Sequence, residues 1–136
     1  MKLAKSFKDL LVWQKAHTLV LGVYKYTGSF PESEKFVLVN QMRRSAISIP
    51  ANIAEGFKKR TKRDKLNFFN IAQGSLEELK YFILLAHDLG YMGKDELNHL
   101  AEEVSRLLEA YSKAILNSNS WLLNSEFWLL SSWGFG

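Results

Sequence analysis

An all-α fold, an antiparallel up-down four-helix bundle, is what this sequence predicts, on three observations. Only two prolines, Pro31 and Pro50, interrupt 136 residues, and long stretches lack turn residues. Four segments carry apolar side chains at three- or four-residue intervals, the period of a single buried helix face. The links between them are short, which makes sequence neighbours antiparallel.

In the first segment, Asp9 is placed to cap a helix carrying Trp13, Ala16, Val20, Val23 and Thr27. Gly28 and the Phe30-Pro31 pair stop it. Ser33 precedes the second, whose inner face reads Val39, Met42, Ala46, Ile49, Ile53 and Phe57. Pro50 falls inside this pattern, so a kink is expected near Ala46 to Ile49, where a helical hydrogen bond is lost. Gly56 or the basic stretch after it ends the helix.

Thr61-Lys-Arg-Asp64 has the form of a capping box, with aspartate where glutamate or glutamine is usual. It opens the third helix, with Leu66, Phe69, Ala72, Leu76, Leu79, Ile83 and Ala86 along one stripe. Gly90 is its expected stop. Lys94 or Asp95 starts the fourth, with Leu97, Leu100, Val104, Leu107, Leu108, Tyr111 and Ile115.

These helices make residues 1–117 one bundle domain, as the chain length also suggests. Residues 118–136 form a Trp-rich tail holding three of the four tryptophans. In it, Trp121-Leu-Leu-Asn-Ser-Glu-Phe127 is nearly repeated as Trp128-Leu-Leu-Ser-Ser-Trp-Gly134. Its apolar residues spread around the helical wheel, unlike those of a membrane-surface helix. Docking on the bundle, covering a groove between subunits and lack of order are its open readings, with a partner or membrane anchor the less favoured one.

Apolar residues make up 47% and charged residues 24%, ordinary values for a globular chain. The absence of cysteine removes disulfides, thiol nucleophiles and thiolate metal sites, and it suits a cytoplasmic location. The first residues lack the apolar core of a signal peptide. No segment approaches the roughly 20 apolar residues of a membrane span, so no membrane partner is expected.

Charge carries the strongest functional signal. Residues 1–65 hold 14 basic and 5 acidic side chains, and residues 66–136 hold 4 basic and 9 acidic. Between Arg43 and Lys65 lie eight of the eighteen basic residues and only two acids, Glu55 and Asp64. Lys58, Lys59, Arg60, Lys62, Arg63 and Lys65 crowd the turn between the second and third helices. Phosphates tolerate loose cationic geometry, so such a cluster suits sequence-independent nucleic-acid binding. No zinc-finger or RNA-recognition signature accompanies it. Phe57, Phe68 and Phe69 flank it at core spacing. The alternative is a scaffold or adaptor whose basic face recruits an acidic protein.

A second feature is a polar ridge on the second helix: Gln41, Arg44, Ser48, Asn52 and Glu55, at intervals of 3, 4, 4 and 3. On the third helix, Gly74 and Ser75 are small and Glu77 and Glu78 follow. The expectation is that the ridge meets this region, within or between subunits, with Arg44 paired to a carboxylate. If that pair is buried, removing one partner costs about 3–5 kcal/mol. Gly74 suggests a close backbone approach, because glycine inside a helix costs on the order of 1 kcal/mol.

At these residues the chain resembles the 23S rRNA intervening-sequence protein family, also called the S23 or four-helix bundle family. The matching strings include Phe7-Lys-Asp-Leu-Leu-Val-Trp-Gln-Lys-Ala16, Gln41-Met-Arg-Arg44 and Ser48-Ile-Pro-Ala-Asn-Ile-Ala-Glu-Gly56. Phe69-Asn-Ile-Ala-Gln-Gly-Ser-Leu-Glu-Glu-Leu79 and Leu89-Gly-Tyr91 extend the match. The resemblance implies a bundle that assembles as a homopentameric barrel. Similar proteins include the accessory variability determinant of diversity-generating retroelements, which binds nucleic acid and partners a reverse transcriptase. Carried over, Arg43, Arg44 and the basic residues after Gly56 become candidate contacts. The Trp-rich tail departs from the family pattern.

Catalytic readings find little support. His17, His87 and His99 lie on different helices with no serine or acid at a telling spacing. Glu96-x-x-His99 echoes the di-iron motif of four-helix bundles, but no second Glu-x-x-His exists and that site needs two. Gly74-Ser-Leu-Glu lacks the pattern of a phosphate loop. Neither enzymatic activity nor a metal or cofactor is expected.

Overall fold

The computed structural model describes residues 4–93 and 95–118. The Trp-rich tail, from residue 119 onward, lies outside the described residues. Among them all regular structure is helical: α1 (Leu11–Thr27), α2 (Leu38–Lys58), α3 (Lys62–Asp88) and α4 (Asp95–Asn117). Short 3-10 turns occupy Phe7–Asp9 and Glu32–Glu34. Each helix packs on two neighbours, in the ring order α1, α2, α3, α4 and back to α1. The α2–α3 seam is the most extensive.

The apolar stripes meet in the middle. Leu19, Met42, Ile49, Ile53, Leu76 and Ile83 are all buried, with Phe69 against Tyr111 at a ring-centroid distance of 6.2 Å. Each such side chain contributes about 1.5–3 kcal/mol through burial, which stabilises helices that would be marginal alone. Along the seam, Arg44 meets Glu78, Ser48 meets Ser75, and Gly56 faces Phe69. A Cβ on Gly56 would lie 3.0 Å from the Phe69 ring, so any larger residue there would press on that ring at the helix crossing.

Two helix starts differ from the sequence expectation. Asp9 does not cap α1. Its carboxylate reaches back to accept from the backbone N–H groups of Lys5 (2.8 Å) and Ser6 (3.2 Å), closing the preceding 3-10 turn. Buried Leu10 is extended between that turn and α1, which starts without a side-chain cap. Ser33 likewise belongs to a 3-10 turn, and α2 begins only at Leu38 because Val37 leaves helical geometry. Pro50 lies within α2, which is a continuous helix to Lys58; the missing donor falls at the Ala46 carbonyl.

The other caps follow the residues expected of them. Thr61 Oγ1 accepts from the Asp64 N–H at 3.1 Å. Gly90, at φ 79, ends α3 in a Schellman arrangement, with Gly90 N–H donating to His87 and Tyr91 N–H to Ala86. Tyr91 then reaches the α1–α2 link: its hydroxyl donates to Glu34 at 2.9 Å, and its ring packs on Phe30. The carboxylate beside it raises the phenol pKa.

Candidate nucleic-acid interface

Three residues, Lys59 to Thr61, join the end of α2 to the start of α3. The corner is therefore short, and its cations sit on or beside helix ends. Lys58, Arg60 and Arg63 are exposed. Lys59 lies with its ammonium 5.1 Å from the centre of the Phe68 ring, which steers the side chain without cancelling its charge. Lys62 donates to the Leu116 carbonyl at 3.2 Å, at the negative end of the α4 dipole. Among the described residues, no ion pair involves any of these five.

Lys65 corrects the sequence reading. It is not a surface cation: only 1% of it is exposed, and its ammonium donates to the carbonyls of Phe57 (3.0 Å) and Gly56 (3.3 Å). Four residues before Phe69, it points inward with the core stripe. Its amine then meets the C-terminal carbonyls of α2, where the helix carries partial negative charge. Burial pushes its pKa down from 10.5 to about 8. A charge count along the chain cannot separate this lysine from its outward neighbours.

Arg43 and Arg44 lie elsewhere. Fifteen residues of α2 separate Arg43 from Lys58, about 22 Å at 1.5 Å per residue. Arg43 donates to Thr27 Oγ1 at 3.0 Å and stacks over Tyr24 at 4.4 Å, so it faces α1. Arg44 donates to Gln41 Oε1 and, at 2.8 Å, to Glu78 Oε2. That pair is half-exposed, 53% and 40%, so its coupling belongs to the range of about 0.2–1 kcal/mol rather than the buried range.

Below it, Ser75 donates to Ser48 at 2.9 Å, and Asn52 donates back to Ser48. The ridge thus meets the Ser75–Glu78 region within one chain. Glu77 instead pairs with Lys80, and Glu55 is exposed. Among the described residues nothing approaches Gly74: a Cβ there would meet no atom within 4 Å.

An open groove of about 720 Å³ begins at the corner and runs along α3 beside α4. It is lined by Arg63, Asp64, Leu66, Asn67, Asn70, Gln73 and Ser112. The charge-based reading passed over the amides. Their three-residue spacing directly after the basic run was the available signal. Among the described residues, no helix is long and apolar enough to cross a membrane.

The family model for 23S rRNA-intervening sequence proteins matches residues 8–113. The crystal structure of a protein of unknown function from the S23 ribosomal protein family of Bacteroides thetaiotaomicron is similar, with a TM-score of 0.69 and 28% identity. The match covers 76% of this chain and 99% of that one. No curated protein matches the sequence. With the family model matching most of its length, this chain belongs to the 23S rRNA-intervening sequence protein family.

Proposed function

We propose that this protein is a non-enzymatic, antiparallel up-down bundle that binds RNA or DNA through the α2–α3 corner. One observation carries the reading: five cations on a three-residue turn and its flanking helix ends, with no carboxylate partner among the described residues. Such a surface holds a polyanion by displacing its counterions. In this reading the bundle assembles into a homopentamer, which repeats the corner and turns weak single contacts into avid binding. The exposed apolar residues Ile47 and Ile71, on either side of the ridge, support a contact between copies. Service as an accessory to a reverse transcriptase or another RNA-related process fits the same surface.

Fluorescence anisotropy with a labelled single strand tests the binding, with native mass spectrometry for the assembly. Lys58, Lys59, Arg60 and Arg63 give a slope of log K against log salt near −3 per subunit, roughly a fiftyfold loss from 50 to 200 mM. Joint Lys58→Glu, Arg60→Glu and Arg63→Glu substitution should abolish the complex. Binding that ignores salt, or that survives charge reversal, would refute the proposal.

A further inference from the structure

The groove beside the corner differs chemically from the corner itself. Asn67, Asn70 and Gln73 line one side of it at successive turns of α3, and Ser112 of α4 faces them. Among the described residues none of the three amides makes a hydrogen bond within the chain. Each amide offers a carbonyl acceptor and two N–H donors without net charge. The floor includes the partly buried side chain of Leu66.

Charge decides what such a groove accepts. Its two ionic groups among the described residues, Arg63 and Asp64, have opposite signs, so a run of phosphates gains nothing by entering and meets a carboxylate on the way in. A neutral, planar group edged with donors and acceptors fits better. Amide side chains pair bidentately with such edges in nucleic-acid recognition, and unstacked single-stranded bases present them. The volume lies within the range of small-ligand sites and admits a base. Among the described residues no aromatic lines the groove, so selectivity there comes from edge hydrogen bonds rather than from generic stacking.

We propose that the α3–α4 groove is a nucleobase-edge site, occupied by bases of a single strand whose phosphates lie on the adjoining corner. This rests on the corner binding polyanions. It goes further in making the protein sensitive to base identity, which a cationic corner alone is not.

The test titrates the full chain with fluorescein-labelled 12-mers of A, C and U in RNA, of A in DNA, and with an abasic strand of equal length, all at 50 mM salt. The expected result is at least one base-bearing strand bound about tenfold or more tightly than the abasic strand. The RNA and DNA forms of A show whether the sugar contributes. The Asn67→Ala, Asn70→Ala, Gln73→Ala triple variant, whose alanines favour helix, should bring that strand's affinity down to the abasic level. Circular dichroism confirms the fold. Equal affinity for abasic and base-bearing strands, or a base preference that survives the triple variant, overturns the groove proposal and leaves the corner reading standing. Failure of every strand to bind overturns both.

Discussion

Replacing Lys65 with methionine keeps the aliphatic stem and removes the buried charge. The fall of the amine pKa from 10.5 to about 8 means that the charged form is disfavoured in the folded chain by on the order of 3 kcal/mol. Between these two values the unfolded chain binds more protons at this residue than the folded one, so stability rises with pH through that window. The penalty is present in full below about pH 8 and is relieved as the pH climbs toward 10.5. From about pH 7 to about pH 9.5 the wild-type chain should gain about 2 kcal/mol from this group alone.

Urea unfolding followed by helical circular dichroism at a series of pH values measures it. Other titrating groups are shared by wild type and Lys65→Met, so the difference between their stability curves isolates Lys65. That difference should shift by about 2 kcal/mol in favour of wild type over the interval. Parallel curves would refute the reasoning, because they would mean that the amine keeps an ordinary pKa when folded.

Three further outcomes follow from the helix contacts. Gly56→Ala drives a methyl to 3.0 Å from the Phe69 ring and should destabilise the chain by about 1–3 kcal/mol, read as a lower thermal midpoint. Gly74→Ala meets open space and should stabilise by about 0.5–1 kcal/mol; a loss instead would show that another chain's backbone fills that space. A double-mutant cycle on Arg44→Ala and Glu78→Ala should return a coupling of about 0.2–1 kcal/mol that shrinks with salt, and a value near 3 would mean that assembly buries the pair.

Much of the bundle was legible because its stripes repeat over many turns. Met42, Ile49 and Ile53, or Phe69, Leu76 and Ile83, recur at a helical period that a strand could not bury on one face. Thr61 and Gly90 mark helix ends through local chemistry, and local chemistry shows in sequence. Asp9 and Ser33 misled because their side chains suit any nearby unpaired N–H, and whether that donor opens an α-helix or a 3-10 turn depends on where Leu10 and Val37 place the backbone.

The corner was read from charge, which reports composition rather than direction. Lys65 and Arg63 look alike in a tally, yet one is a cap inside the protein and the other lies at a groove mouth. The groove depends on α3 lying beside Ser112 of α4, a separation in sequence that no local pattern spans.

The brevity of the α2–α3 link has a thermodynamic consequence for the proposed ligand. A long basic loop would forfeit backbone freedom when it closed on a strand, and much of the contact energy would vanish into ordering it. Here Thr61 and the two carbonyls gripped by Lys65 have already immobilised the main chain. Only side-chain rotamers are left to freeze, so the ligand meets a preorganised array with a low entropic toll.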